Sequence, residues 1–178
     1  MPRLSKRLVI DASIARSSGG AEATFPTSKH CRDLLQAVLR ICHRIVMTPK
    51  IKTEWDEHQS NFARRWRVSM ESRKKVCHLE SVPESGLGDK IRGSAQIHGQ
   101  QEAMLNDLHL ILAALETDRV VISLDEQARA YFGQSAVRIG ELRAIAWVNP
   151  DSVDDQAIGW LEAGASPEKK RQLGSRSI

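Results

Sequence analysis

The chain has 178 residues, of which 41% are hydrophobic, and it carries a formal net charge of +4 with a pI of about 9.1. This length is enough for one domain with its own core, and no apolar run approaches the ~20 residues that span a bilayer. The three cysteines form no CxxC pair, which argues against a disulfide framework. The moderate positive charge favours a polyanionic partner.

The N-terminal segment does not have the pattern of a secretion signal. Its apolar stretch, Leu8–Ile10, is far too short for the hydrophobic region of a signal peptide, and Asp11 ends it. We therefore expect a cytoplasmic protein, with no membrane among its partners.

Short apolar runs alternate with amphipathic segments in the first half of the chain. The patterns predict a strand over 7–11, a helix starting at 26–28 and running to 42, a strand over 44–47 and a helix from 48 to 70. Thr48 and Pro49 suit the N-cap and the first turn of the last helix. The apolar face of that helix has a gap near His58–Gln59.

The same alternation continues in the second half. A glycine-rich stretch over 81–99 predicts a loop with a helical turn inside it. The patterns then predict a helix through 104–115, a strand over 119–124, a short helix after 125, a strand over 144–148, a helix over 153–163 and a frayed basic tail over 166–178. Strands with continuous apolar runs indicate an α/β domain over 1–165, built on a parallel sheet that is covered on both faces.

Four acidic residues occupy notable positions in this arrangement. Asp11 ends the first predicted strand and Asp125 follows the strand over 119–124, so both are expected at the edge of the sheet where active sites of such folds lie. Asp107 lies at the border of the apolar stripe of its helix, and Glu54 lies in the first turns of its own helix. Each acid taken alone also fits a helix cap or a solvated position.

Several carboxylates at one edge of a sheet would repel each other unless a cation joined them. Hard oxygen ligands suit Mg²⁺ or Mn²⁺, and such a site polarises a phosphodiester and activates a water for attack. Cysteine and histidine offer no competing zinc site: Cys31 and Cys42 would lie about 16 Å apart on one helix, and Cys77-His78 has no partner at metal spacing.

Two stretches of the chain carry a family pattern. LVIDASI at 8–14 resembles the opening strand of PIN domains, whose aspartate is followed two residues later by a small polar residue. NDLHLILAALETDRVVISLDEQ at 106–127 resembles the second half of that family, in which an Asp opens a helix and a strand then ends in Thr or Ser, any residue and Asp. Glu54 matches the family's glutamate position, and the resemblance covers residues 7–150.

This resemblance implies a three-layer α/β/α sandwich, Mg²⁺ or Mn²⁺ as cofactor, and an endoribonuclease that hydrolyses RNA phosphodiesters. The residues it carries over as catalytic metal ligands are Asp11, Glu54, Asp107 and Asp125. It implies that Ser13 and Ser123 orient carboxylates or bound water. Glu126 is either a further participant or an ordinary acid at a helix N-terminus.

The resemblance also bears on partners. Many PIN domains are toxins of toxin–antitoxin pairs, held by an antitoxin segment that fills the cleft, so an antitoxin protein is a candidate partner and a homodimer a candidate assembly. The second candidate for regulation, ranked below an external partner, is the basic tail. Its basic residues would serve as an internal blocker or as an RNA-tethering arm. Those residues are Lys169, Lys170 and Arg171.

A basic run, RRWRVSMESRKK, lies over 64–75. Its candidates for contacts with RNA phosphates are Arg64, Arg65 and Arg67. The alternative is a solvated helix face. Trp55 and Trp66 are candidates for stacking on bases, although their helical spacing favours packing in the core.

Three rival functions fit the sequence less well. A phosphoacceptor receiver domain would need a lysine where Asn149-Pro150 stands, and a haloacid-dehalogenase-type phosphatase would need a second aspartate where Ala12 or Ser13 stands. The non-enzymatic alternative is a catalytically weak PIN-like module that binds RNA or an assembly partner. The presence of all four acids argues against such degeneration.

Overall fold

The computed structural model describes residues 5–20, 23–94 and 97–176, so the first four residues of the predicted domain and the last two of the predicted tail lie outside the described ranges. Five strands form one sheet, in the order β3-β2-β1-β4-β5, and every neighbouring pair is parallel. The strands are β1 (Arg7–Ile10), β2 (Arg44–Met47), β3 (Val76–His78), β4 (Val120–Ile122) and β5 (Ala146–Val148). The predicted fold class, a three-layer α/β/α sandwich, is confirmed.

The order of the strands creates a switch point in the middle of the sheet. From β1 the chain proceeds outward to β2 and β3, and it then returns to the other side of β1 to form β4 and β5. Crevices at the carboxyl ends of strands form where the order reverses in this way, which here is between β1 and β4. The two strands pair in register through Val9 with Val121 and Ile10 with Ile122.

Eight α-helices flank the sheet within the described ranges. They are α1 (Ala12–Ser17), α2 (Thr27–Arg40), α3 (Pro49–His58), α4 (Asn61–Ser72), α5 (Leu87–Ser94), α6 (His98–Leu115), α7 (Glu126–Ser135) and α8 (Ala157–Glu162). The predicted N-cap of α3 is confirmed, because Thr48 Oγ1 accepts the Ile51 N–H at 3.2 Å and Pro49 occupies the first turn. Among the residues that the structure describes, no helix is both long and apolar enough to cross a membrane.

The helix predicted from 48 to 70 is in fact two helices, α3 and α4. Ser60 separates them: its Oγ accepts the Ala63 N–H at 3.1 Å and caps α4, and its own N–H donates to Ala15 O at 3.1 Å. The prediction of one helix was wrong because a contact with α1, distant in sequence, satisfies the backbone at the break. The gap in the apolar face near 58–59 was the local sign of this break.

Two elements at the rim of the fold differ from the prediction. The edge strand β3 was not predicted, because it has three residues and only Val76 is buried. The predicted loop over 81–99 contains a full helix, α5, whose Leu87 and Ile91 are buried, rather than a single turn. Both elements depend on their neighbours, β2 and α6, more than on a pattern of their own.

The C-terminal segment was predicted to fray, and over 166–176 it is instead packed against the domain. Leu173 is fully buried, and its N–H donates to Ile145 O at 2.9 Å. Gln172 forms an antiparallel bridge with Ala146 on the outer edge of β5. Arg171 is 3% exposed and donates to Asp155 O at 2.6 Å. The polar composition of the segment concealed one apolar anchor and a backbone that pairs with a sheet edge.

Candidate active site

The four acids singled out from the sequence line one open cleft at the switch point. Asp11 follows β1, Glu54 lies in α3, Asp107 lies in α6 and Asp125 precedes α7. The cleft has a volume of about 580 Å³. Four elements far apart in sequence therefore present carboxylates to the same space. Glu57 adds a fifth acid to the lining.

Asp11 is held by the two serines that the sequence predicted beside it. Its Oδ2 accepts the hydroxyl of Ser13 at 2.6 Å and that of Ser123 at 2.8 Å. Ser123 is fully buried, whereas Ser13 is half-buried at the start of α1. The two hydroxyls fix the orientation of the carboxylate and leave Oδ1 without a donor among the described residues.

Asp125 caps α7 while facing the cleft. Its Oδ1 accepts the Ala128 N–H at 2.8 Å, and its own N–H donates to Ser123 Oγ at 3.1 Å. Asp125 can therefore cap α7 and also line the cleft, because the cap uses Oδ1 and leaves Oδ2 without a hydrogen-bond donor among the described residues. Ser123 links Asp125 to Asp11 through these hydrogen bonds.

Glu54 reaches the cleft because its neighbour in sequence anchors α3 to the sheet. The indole N–H of Trp55 donates to Ile10 O, the last residue of β1, at 2.9 Å. Glu54 Oε2 lies 2.8 Å from His109 Nε2 on α6, and Oε1 lies 3.6 Å from Lys50 Nζ. His109 was not singled out from the sequence; the only local signal was its position two residues after Asp107.

Asp107 is the acid of the cleft whose pKa is raised by its surroundings. Burial, and after it the charges of Asp11, Asp125 and Glu54, raise the pKa of Asp107 to about 7. A carboxylate that loses hydration and also faces other carboxylates resists ionisation. The shift indicates that the four side chains are close enough to interact, and that positive charge in the cleft would relieve them.

The carboxylates are not arranged as a finished metal site. Among the residues that the structure describes, no group of three or more His, Cys, Asp or Glu side chains is placed so that it could hold a metal ion. Several of their oxygens are taken up by serine hydroxyls, a helix N–H and a histidine. The donor chemistry still fits a hard cation, because Asp11 Oδ1, Asp125 Oδ2 and both oxygens of Asp107 have no hydrogen-bond donor in the described ranges.

The basic residues that line the cleft are not those predicted from the sequence. Arg64 and Arg65 are exposed on α4 and do not line it, and Arg67 is occupied by Asp56, with Nη2 and Oδ1 at 2.8 Å. The cleft is lined instead by Arg16, Lys50 and His58. The arginines of α4 are clustered in sequence and therefore stand out as a basic run. The basic residues of the cleft are isolated in sequence, so no local pattern predicts that they lie together.

The tryptophans belong to the core and not to a base-stacking surface. Trp55 is fully buried and Trp66 is 3% exposed, with their ring centroids 5.8 Å apart. The indole N–H of Trp66 donates to Leu35 O at 2.5 Å. Core packing, the alternative favoured by their spacing, is confirmed.

Glu126 supports the fold beside the cleft without lining it. Its Oε1 accepts from Arg129 Nη1 and from Asn149 Nδ2, each at 2.9 Å. Arg129 also binds buried Asp155 through both terminal nitrogens, at 2.7 and 3.1 Å. Of the two interpretations of Glu126, the structure therefore supports an acid near a helix N-terminus that is tied into a buried ion-pair network.

The three cysteines lie in different environments. Burial raises the pKa of the Cys31 thiol to about 12, so it is a packed, unreactive side chain. Cys42 lies at the end of α2 and is exposed, while Cys77 is half-buried in β3.

Comparisons with known proteins add no assignment. No protein-family model matches the chain, and no match was found among curated proteins. Support for a function therefore comes from the fold, from the chemistry of the cleft and from the sequence resemblance.

Proposed function

We propose that the protein is a metal-dependent endoribonuclease of the PIN-like type, with Asp11, Glu54, Asp107 and Asp125 as the residues that bind Mg²⁺ or Mn²⁺. The observation that carries the proposal is that these four carboxylates, from four separate elements, line one cleft at the switch point of a parallel sheet. The raised pKa of Asp107 supports it, because the repulsion among the acids is what a divalent cation would offset.

For two of the four acids, the hydrogen bonds in the structure define the role that we propose. Asp11, whose Oδ2 is fixed by Ser13 and Ser123, would bind the cation through Oδ1. Asp125 would bind it through Oδ2, because its Oδ1 caps α7. A bound divalent cation would polarise the phosphodiester and activate the attacking water.

The proposed substrate is RNA, and the cations of the cleft are suited to its backbone. Arg16 is exposed, lines the same cleft as the acids and has no ion-pair partner among the described residues. A guanidinium without an ion-pair partner is suited to binding the phosphates of a polyanion. Cations that accompany the polyanion would offset its repulsion from the acids of the cleft. The role of a toxin restrained by an antitoxin, like the cytoplasmic location, rests on the sequence alone.

A binding module is the second candidate, and one observation favours it. Three of the four acids, Asp11, Glu54 and Asp125, are engaged with protein partners, and no three acids converge to hold a metal within the described ranges. A PIN-like module with weak catalysis would bind RNA and gain no stability from Mn²⁺. The nuclease requires the carboxylates of the cleft to close around a shared cation.

The proposal is tested by Asp11→Asn and Asp125→Asn, which keep shape and remove charge. We expect each variant to lose cleavage of single-stranded RNA by a factor on the order of 100 or more, because each removes a proposed ligand of the cation that activates the attacking water. We also expect each to lose the Mn²⁺-dependent rise in melting temperature that the proposal predicts for the unmodified chain. Glu57→Gln, another acid lining the cleft but outside the proposed set, is the matched control. Cleavage that persists in EDTA or in Asp11→Asn would rule out the metal mechanism.

The toxin role has its own test. Expression of the unmodified chain should slow growth, and Asp11→Asn should not. If the unmodified chain cleaves RNA in vitro without affecting growth, the toxin role falls and the nuclease stands.

A further inference from the structure

His109 is the polar side chain from α6 that contacts an acid of the cleft directly. Its Nδ1 lies 2.9 Å from Asn106 O, and its Nε2 lies 2.8 Å from Glu54 Oε2. A carbonyl oxygen and a carboxylate oxygen both accept, so the ring carries a hydrogen on each nitrogen: Nδ1 donates to Asn106 O and Nε2 donates to Glu54 Oε2. The ring is therefore oriented by its own helix, and Nε2 is the atom presented to Glu54.

The contact is sheltered, which distinguishes it from an ordinary surface pair. The side chain of His109 is 14% exposed and that of Glu54 is 25% exposed. The other cation near Glu54 is Lys50, which is 62% exposed and 3.6 Å away, so its hold on the carboxylate is weak. His109 is thus the main determinant of where Glu54 points.

The contact also joins two elements that each supply an acid to the cleft. Glu54 lies on α3, and α6 supplies Asp107 two residues before His109. Residues two apart in a helix do not face the same way, so α6 directs Asp107 to the cleft and meets Glu54 with a different side. Glu54 Oε2 is bound to His109 of α6. Glu54 Oε1 lies nearer to Lys50, a residue that lines the cleft.

We propose that His109 is a positioning residue, which holds Glu54 through Oε2 so that Oε1 is presented to a divalent cation in the cleft. The proposal rests on the proposed function, since it concerns the same cation. It assigns His109 no contact with substrate. Side chains that orient ligating groups in this way commonly affect metal affinity by about 10- to 100-fold.

The test replaces His109 in two ways. His109→Leu keeps volume and removes both nitrogens, whereas His109→Gln places a side-chain amide near the position of Nε2. We expect His109→Leu to need about tenfold more Mn²⁺ for half of the maximal rise in melting temperature, and His109→Gln to recover most of that affinity. The control is His98→Leu, which removes another histidine of α6 that pairs with a glutamate, Glu102 at 3.1 Å, on the exposed face.

The Mn²⁺ titration separates positioning from a merely structural role. A structural role would lower the melting temperature in EDTA and leave the Mn²⁺ requirement unchanged, and that result would overturn the proposal while the nuclease stands. Loss of affinity in His109→Leu with recovery in His109→Gln supports it. If the unmodified chain shows no Mn²⁺-dependent stabilisation, the proposed function itself fails and the positioning role falls with it.

Discussion

At the level of single residues, Asp107 links the geometry of the cleft to stability. Its pKa in the folded protein, about 7, lies above the ordinary value of 3.8. Between about pH 4 and pH 7 the folded state therefore keeps a proton that the unfolded state has released. The free energy of unfolding should fall as pH rises through this window, and the full penalty is present above pH 7.

Asp107→Asn should remove this penalty. We expect the variant to be more stable than the unmodified chain at pH 8, by on the order of 2 kcal/mol after allowance for solvent screening in an open cleft. The difference between the two proteins should shrink as pH falls and vanish below about pH 4, where the aspartate becomes protonated in both states. Denaturant unfolding in EDTA at pH 4.5 and pH 8 measures the difference.

Asp154→Asn provides the comparison for Asp107, because Asp154 is exposed and does not line the cleft. It should change stability little at either pH. Saturating Mn²⁺ should reverse the order of Asp107→Asn and the unmodified chain, since the cation stabilises only an intact set of carboxylates. A pH-independent difference would mean that Asp107 acts through packing and not through its charge.

At the level of elements, two helices are candidates for the surface that would bind the proposed RNA substrate. The short helix α1 follows Asp11 directly and ends near Arg16, one turn beyond Ser13, so that both residues line the cleft. The longer α4 carries more arginines, but its Arg67 is paired with Asp56 and its exposed members lie outside the cleft. Position relative to the acids therefore favours α1 over the more basic helix.

Arg16→Gln and Arg65→Gln form a matched pair for this comparison. Both arginines are exposed, and neither has an ion-pair partner in the described ranges. In an Asp125→Asn background, we expect Arg16→Gln to weaken binding of single-stranded RNA and to lower the salt slope by about 0.7 log unit, the value for one lost phosphate contact. Arg65→Gln should leave the slope unchanged; the opposite result would place the RNA on α4.

At the level of the whole molecule, the C-terminal segment closes one edge of the sheet. β5 is an edge strand, and residues 172–174 lie along its outer side through backbone hydrogen bonds. Gly174 approaches Arg143 so closely that an added Cβ would lie 2.9 Å from Arg143 Cβ. A covered edge is protected from pairing with other chains. Within 166–176 no residue lines the cleft, so the described part of the segment gives no support to an internal blocker.

Leu173→Ala should therefore act on stability and not on activity. Removing a fully buried leucine should cost about 2–4 kcal/mol in the free energy of unfolding, through the cavity left beside β5. Lys170→Ala, in the same segment but exposed, should cost less than 1 kcal/mol, a value on the order of a surface pair. A several-fold rise in RNase activity in Leu173→Ala would instead support an autoinhibitory tail.

Local patterns in the sequence determined the class of fold and the placement of the acids. Apolar runs and helical spacing depend on neighbouring residues, so β1, β2, α2 and α6 could be predicted without knowledge of their partners. Asp11 and Asp125 end up at one edge of the sheet because parallel strands share the direction of their carboxyl ends. The caps at Thr48 and Asp125 are likewise local, since each bonds an N–H three residues on.

Tertiary structure alone decided the features that join distant residues. The break between α3 and α4 depends on Ala15, the hold on Glu54 depends on His109, and the C-terminal segment depends on the edge of β5. In each case a backbone or side-chain group finds its partner more than 25 residues away, where no periodicity reports it. The sequence by itself therefore indicated four of the acids that reach the cleft, and the packing of helices on the sheet decided how they are held there.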